Sequence, residues 1–468
     1  MKADRSTSQR LPHWPRTNRA EHLAERQEHL RSLSHWSSAH HHVLEWPVPS
    51  ETLANFQECL SGHMVLPVGV VGPLSINVGQ YTLSDTGEVQ ELARQDDQVF
   101  VPLAHTEGGL SASIQRGISA VALAGGVKTY VLADRMTRDS CFVFRSTEEA
   151  LALARWVESR VAEMSQWLTA TAQTSRNTHH VSERQRGETE AELSREDRDR
   201  DRDSEARIET EGKQNTPTAV ISSHAVLREV QTHVIGPMCH LLYRFTTGDA
   251  CGPNMMTRNS YALNEQFVRE KFTRDSGITP LHVFLETNMG GDKKPSHAFF
   301  QFPGHGKVAM AEATLPGAVL RRVLRVSADN VVVLEHAGLH GAHASGMQSF
   351  AFTPASAVAA IFAATGQDLG MVGTSSMTHA TVTRIDDGIH LTIRFSGLEV
   401  GTVGGGTSLP HAQSYLQLMN CLGAGKIYRF AQIIAATALC LELSAAASMA
   451  TTGSENFLQA HFERGGVR

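Results

Sequence analysis

Glu286-Thr287-Asn288-Met289-Gly290-Gly291-Asp292-Lys293-Lys294-Pro295 follows a short apolar run, Leu281 to Leu285, that has the character of a strand. Two glycines, an acid and two lysines cannot continue that strand, and Pro295 closes the turn. Glycine lets backbone approach a ligand closely. A lysine set on such a turn is a fixed cation aimed into a cavity, which suits an oxyanion forming on a carbonyl. Taken alone, a Lys-Lys turn is more often simply solvated. The segments on either side have to decide between the two.

The chain has 468 residues, enough for two or three domains and a large core. Its net charge of -6 argues against nucleic acid as the main partner. Six cysteines without CxxC spacing fit a reducing compartment and no structural zinc. The polar, charged start, Met1 to Arg31, is not a secretory signal. The most membrane-like window, Ala431 to Ala450, holds Glu442 and many small residues and reads as a buried helix. A soluble protein with no integral membrane segment is expected, in the cytoplasm.

Met1 to about Ser38 reads as disordered or loosely helical, and Glu51 to Leu60 as a short helix behind a Ser50 cap. Val65 to Leu74 is a small-residue turn and strand. Val99 to Leu103 is a strand that breaks at Ala104-His105-Thr106-Glu107-Gly108-Gly109 into a helix through Ala124, with Ser111, Ser113 and Arg116 in its first turns. Glu107 there is either a plain helix-end acid or a carboxyl held for proton transfer. Val127 to Asp134 reads as a strand leading to Met136-Thr137-Arg138. Apolar residues from Leu151 to Leu168 recur at helical spacing. Thr169 to Thr216, with Arg-Glu-Asp-Arg-Asp-Arg-Asp-Arg-Asp inside it, is too polar to bury a core and reads as a disordered charged insertion.

Val220 to Tyr243 is expected as a helix, with Leu227, Val230, Val234, Met238 and Leu241-Leu242 on one side. It ends at Gly248-Asp249-Ala250-Cys251-Gly252-Pro253-Asn254, a turn that opens another helix, where free N–H groups could cradle a phosphate. His297 to Gln301 and Lys307 to Leu315 read as a hairpin around Gly304-His305-Gly306, and Leu315 to Leu324 starts a helix. His336, His340 and His343 fall at helical spacing and tempt a zinc reading, but no His-Glu-x-x-His base accompanies them, so no metal is expected. Pro354 to Thr365 is a small-residue helix ending at Gly366-Gln367-Asp368. Asp368 would then sit at a helix C-terminus against the dipole, a placement that points to function. The strand Ile389 to Phe395 leads to a second glycine loop, Leu398 to Thr407. Helices over Leu416 to Leu422 and Ile427 to Met449 follow, and a lone His461 stands in the tail.

No one of these motifs decides the matter; their order does. Pro-Val-Gly-Val-x-Gly-Pro-Leu at 67–74, Thr-Glu-Gly at 106–108, Gly-Asp-Ala-x-Gly-x-Asn-Met at 248–255, Asp-Lys-Lys-Pro at 292–295, Gly-Gln-Asp at 366–368 and Glu-Val-Gly-Thr-Val-Gly-Gly-Gly-Thr at 399–407 follow one another. Together they resemble the catalytic region of 3-hydroxy-3-methylglutaryl-coenzyme A reductases of the eukaryotic type, over about Glu58 to His461. The resemblance implies an α+β fold in which a large domain binds the CoA thioester and a small inserted domain binds NADPH. The large domain would comprise 58–139 and 285–468, and the small one 140–284 with the charged insertion at about 169–216. Residues 1–57 would be a polar N-terminal extension. It also implies reduction of the thioester to mevalonate and CoA, with NADPH and no metal. A homodimer or dimer of dimers is implied, with active sites shared so that Asp292 to Pro295 reaches a neighbour.

The resemblance places roles residue by residue. Lys293 would stabilise the oxyanion, Glu107 would donate a proton during aldehyde reduction, Asp368 would link these two, and His461 would protonate the departing CoA thiolate. Arg138 and Lys294 would meet the substrate carboxylate and Ser113 the CoA side, with Arg116 also assigned to substrate binding. Asp249, Asn254, Gly401, Thr402, Gly404 and Gly405 would line the NADPH site. The chain departs from the family pattern around the substrate. Glu286 stands where a serine is expected six residues before Asp292, Val372 where an asparagine follows Asp368, Ser356 ends the stretch that replaces an Asn-Ala-His-Ala-Asn-like run, and Pro253 replaces a methionine. Reduction of another acyl-CoA, and a weakly active regulatory paralogue, therefore stand beside the leading expectation.

Overall fold

The computed structural model describes residues 20–32, 44–45, 47–54, 56–173, 221–301 and 304–451. Two short helices, α1 (Ala20–Ser32) and α2 (Ser50–Ala54), precede a long hairpin of β1 (Val68–Leu83) and β2 (Val89–Ala104). Next come α3 (Leu110–Leu123), β3 (Val127–Val143), α4 (Thr147–Glu158) and α5 (161–173). A second hairpin, β4 (Val226–Ile235) and β5 (Met238–Thr246), is followed by α6 (Pro253–Ala262), α7 (Glu270–Ser276) and β6 (His282–Phe284). The remainder runs β7 (Gly306–Leu315), α8 (Gly317–Val319), α9 (Ala328–Ser345), α10 (Pro354–Thr365), α11 (Val372–Ser375), β8 (Thr378–Ile385), β9 (Gly388–Phe395), α12 (Pro410–Leu418) and α13 (Ile427–Met449).

The strands join into one mixed sheet in the order β2-β1-β3-β7-β9-β8, with β5 and β6 also on β3 and β4 outside β5. β3 is the hinge of this arrangement. Its first half, Lys128 to Arg135, pairs antiparallel with β7, and its second half, Met136 to Val143, pairs antiparallel with β5. The two halves serve two separate hydrophobic cores. One lies around α3, α10 and α13 and the strands β1, β2, β7 and β9. The other gathers Phe142, Phe144, Trp156, Tyr243, Phe245, Phe267 and Phe272 between α4, α5, β4, β5 and α6 to α7. The fold is thus mixed α+β, as the resemblance implies.

α13 is long and apolar enough to cross a membrane by length and composition, yet 94% of its most apolar window is buried inside the protein. Its alanines allow close neighbours. Gly117 of α3 crosses it so tightly that a Cβ there would lie 1.9 Å from the Cys440 carbonyl oxygen. Each fully buried Leu or Ile of such a helix contributes roughly 1.5–3 kcal/mol. Polar ties fix its two ends. Tyr428 donates to Asp134 at 3.0 Å, and Asp134 pairs with the equally buried Lys307 at 3.3 Å, joining α13 to β3 and β7. Glu442 accepts from the backbone N–H groups of Phe352 and Thr353 and so caps the start of α10, while burial pushes its carboxyl up.

Several local expectations are corrected. The segment expected as a helix over Val220 to Tyr243 is the β4–β5 hairpin where described. Gly236-Pro237 sits inside it as a tight turn, with Gly236 at φ 58°, and Leu241 to Phe245 are buried because β5 is covered on both faces. Residues 297–300 form a 3₁₀ turn capped by Ser296, so the hairpin expected around Gly304 is absent and β7 pairs with β3 and β9 instead. Residues 169–173 remain helical with Leu168 and Ala172 buried, so the polar insertion starts later than composition suggests; from 174 to 220 it lies outside the described residues. The helix expected at Leu416 to Leu422 runs instead from Pro410 to Leu418, starting early because proline is preformed for a first helical turn. The expectation for Met1 to Ser38 meets described chain only in α1.

The α3–α13 crossing gives a direct test. Gly117→Ala must push a methyl into backbone, which cannot yield as a flexible side chain does, so its cost should exceed the ~1–3 kcal/mol typical of overpacking. Urea unfolding of the variant checks this, and an unchanged midpoint would refute it.

Candidate active site

The Lys293 turn hangs from three consecutive residues of β3. Thr137 donates its hydroxyl to the Gly290 carbonyl at 2.7 Å. Arg138, 5% exposed, donates through one nitrogen to Glu286 at 3.0 Å and to Asp292 at 3.1 Å. Asp139, fully buried, accepts from the backbone N–H groups of Thr287 and Met289 and from the Thr287 hydroxyl. Gly290 lies close enough to β3 that a Cβ would meet the Asp139 nitrogen at 2.9 Å. With its base held this way, the turn takes two uncommon backbone conformations, Asn288 at φ 73° and Lys293 at φ 56°. Asparagine tolerates such an angle, but a lysine holds it only where the surroundings impose it, often at functional sites.

Lys293 projects from this strained position onto Asp368, Nζ to Oδ2 2.7 Å, within one chain. The Asp368 carboxylate holds the lysine ammonium above its usual range. Pro295 packs beside Gly373, so the lysine turn and the segment after α10 form one surface. Asp368 is placed differently from expectation. Gly366 ends α10 in the left-handed conformation, and Asp368 caps the next short turn, accepting from Gly370 N at 2.9 Å. It does not oppose a helix dipole; it stands at a helical N-terminus, where a carboxylate is favoured.

Two glycine loops abut this surface. Gly366 and Gly406 touch so closely that a Cβ on either would lie 2.2 Å from the other's carbonyl oxygen. Gln367 clamps Gly401 through both its N–H and its carbonyl. Thr402 N donates to the Asp249 carbonyl at 2.8 Å, which brings the loop at 401–405 onto the turn at 248–252. The Asp249 carboxylate itself accepts from Gly425, Lys426 and Ile427 N and so caps α13. Asn254 is exposed in the first turn of α6, whose N-terminus has no side-chain cap. Gly248, Gly404 and Gly405 have positive φ, and a side chain at any of them would meet nothing within 4 Å. An open glycine surface beside an uncapped helix start fits the phosphates of a nucleotide cofactor.

The other expected site residues are distributed around these loops. Glu107 is exposed ahead of α3 and makes no hydrogen bond or ion pair with a described residue. Ser113 and Arg116 both reach Ser444 of α13, Ser113 at 2.9 Å and Arg116 Nε at 3.0 Å. Lys294 is exposed and donates to the Asp292 carbonyl at 3.1 Å. His461 lies outside the described residues. The histidines at 336, 340 and 343 are exposed on α9, and no group of three or more side chains suited to a metal occurs among the described residues.

Sequence reasoning passed over one feature behind the site. His305 and Glu399 are both buried, with Nε2 to Oε2 3.4 Å, and His305 also meets Thr137 through Nδ1 while stacking on Phe299. The pair links the lysine turn to the glycine loop that follows Glu399. His305 read as a hairpin tip and Glu399 as part of a glycine motif, and nothing in the linear sequence joins two residues so far apart.

Comparison with known proteins identifies the family. The family model described as hydroxymethylglutaryl-coenzyme A reductase matches residues 22–185 and 194–465, breaking within the charged segment. The 3-hydroxy-3-methylglutaryl-coenzyme A reductase of Aeropyrum pernix is 31% identical over 414 residues, covering 86% of this chain and 82% of that protein. The reductase of Pyrococcus horikoshii is 29% identical over 88% of this chain and 84% of that one. A reductase of Aspergillus terreus is 30% identical over 84% of this chain, but this chain spans only 32% of it. Among solved structures, a class II reductase from Streptococcus pneumoniae bound to NADPH in open conformations superposes with a TM-score of 0.56 at 14% identity, covering 92% of this chain and 97% of that one. That likeness supports the fold, while the family model and the archaeal relatives carry the assignment: the chain belongs to the hydroxymethylglutaryl-coenzyme A reductase family.

Proposed function

We propose that this chain reduces 3-hydroxy-3-methylglutaryl-CoA with two NADPH and two protons to mevalonate, CoA and two NADP+. The observation that carries the proposal is the strained Lys293 held against Asp368 at 2.7 Å beside an open glycine surface. NADPH, when bound, supplies a hydride to the acyl carbon in each of two rounds. Asn254 at the start of α6, with Gly401, Thr402, Gly404 and Gly405, holds it; Asp249 acts one step removed, by keeping the loop at 401–405 and the start of α13 together.

Lys293 presents its ammonium to the oxygen that becomes negative when the thioester, and then the aldehyde, is reduced. Asp368 keeps that ammonium charged and aimed. Glu107, exposed at the uncapped start of α3, delivers the proton to the alkoxide in the second round. His461 protonates the departing thiolate. Arg138 and Lys294 face the acyl end, and Ser113 and Arg116 the CoA end. The second core, around Phe142 and Phe267, carries the α6 side of the NADPH site, and the core around α13 carries the thioester and the loop at 401–405. The chain functions as a dimer, with exposed Val333 and Leu339 of α9 and the nearby Met347 among the apolar surface available for association. All six cysteines are free, which supports a reducing, cytoplasmic setting.

Lys293→Ala should lower kcat for the thioester at least ~10²-fold, the scale of losing one preorganised oxyanion donor. Following NADPH oxidation and mevalonate formation measures this, and a variant with full turnover would remove lysine from the chemistry. The pH profile offers a second test. The raised lysine pKa means that the Lys293 ammonium stays charged to higher pH than an ordinary lysine, so its pairing with the Asp368 carboxylate is lost only as pH rises through that raised value. Asp368→Asn removes the largest cause of the elevation, so the alkaline limb of kcat should move to lower pH; an unmoved limb would assign it to another group.

A further inference from the structure

We infer that Glu286 is a built-in rival for the arginine at the acyl end of the site, and that it weakens binding of a thioester with a distal carboxylate relative to an uncharged thioester of similar shape. The inference rests on the proposed placement of Arg138 beside the acyl group, and concerns which acyl groups that site accepts.

The Arg138 side chain is 6% exposed, and one of its terminal nitrogens is shared by two carboxylates, Glu286 at 3.0 Å and Asp292 at 3.1 Å. Its Nε is buried without a hydrogen-bond partner. The guanidinium therefore keeps a donor that no protein group uses, and its planar fork suits a carboxylate. A carboxylate arriving there finds two already beside the cation. Glu286 is firmly held, since its other oxygen accepts from Asn288 N at 2.8 Å. The six charged groups at this end, Arg138, Lys293 and Lys294 against Glu286, Asp292 and Asp368, sum to zero. A neutral residue at 286 would leave a net positive charge facing the ligand. Like charges placed side by side oppose binding and set specificity more than they set overall affinity.

The competing explanation is that Glu286 only shapes the turn through Asn288. Glu286→Gln separates the two, because the amide oxygen still accepts from Asn288 while the charge is gone. The test compares kcat/KM for 3-hydroxy-3-methylglutaryl-CoA with that for 3-hydroxy-3-methylbutyryl-CoA, which lacks the distal carboxylate. In Glu286→Gln the ratio should rise about ten-fold or more, through a lower KM for the carboxylate-bearing thioester. Glu286→Ser should move it the same way. A ratio unchanged in both variants, or equal changes for both thioesters, overturns the proposal. Glutarate binding, measured by calorimetry, supplies a readout independent of turnover: the Gln variant should bind about ten-fold more tightly than the parent, and equal affinity overturns the inference. If the parent protein oxidises NADPH with neither thioester, the reductase reading falls, and the glutarate result still decides the role of Glu286.

Discussion

The site depends on the grip of β3 on the turn that carries Lys293. A surface turn of glycines and lysines has no apolar area with which to fix itself, and ordering each residue costs roughly 1–2 kcal/mol of backbone entropy. Here the cost is met by buried polar groups on a strand that is itself fixed by neighbours on both sides. Thr137 takes the Gly290 carbonyl, Asp139 takes the N–H groups of Thr287 and Met289, and Arg138 takes the acids at both ends of the turn. A buried polar group without a partner is expensive, so each of these bonds is strongly selected over its alternatives. That selection is what keeps Lys293 in a left-handed conformation that an isolated turn would abandon.

β3 also explains why the site lies where it does. Its first half belongs to the core around α13 and its second half to the core around Phe142 and Phe267. The residues that grip the lysine turn are those at the crossing from one core to the other. The glycine loops converge there for the same reason. The turn at 248–252 follows β5, the partner of the second half of β3, while the loop at 401–405 follows β9, which is reached through β7 from the first half. The lysine turn and both glycine loops therefore lie together at the seam between the two cores.

The elements legible in the sequence were those fixed by their own local chemistry. α13 was read to the residue because a long small-residue apolar run has one stable use in a water-exposed chain, as a buried helix. α10, with Pro354 at its start and Gly366 beyond its end, carries both helix signals. The β4–β5 hairpin was missed because its apolar residues satisfy helical spacing as well as a doubly covered strand does; only Gly236-Pro237 contradicted the helix. Lys293, Asp368 and the glycine loops were recognisable as ordered motifs. Their mutual contacts were not, since Lys293 to Asp368, Gly366 to Gly406 and Thr402 to Asp249 all join segments far apart in the chain. Asp249 shows the limit of a motif most clearly: it lies in the glycine turn ahead of α6, but its carboxylate is spent on the start of α13.

The seam is also where charge is most finely balanced. Lys293 and Asp368 are each close to half exposed, so water screens their pairing and the ion pair adds little to folding. Its value is positional. Arg138 is the opposite case: buried, it needs a counter-charge to exist in the folded protein at all, and Glu286 and Asp292 supply two. The same site thus holds one cation that folding barely requires and another that folding cannot leave unpaired. A ligand carboxylate can draw on Arg138 only by taking over part of the work that Glu286 does for stability. Affinity for such a ligand and stability of the free protein are therefore coupled through one side chain, and a substitution at 286 shifts both together.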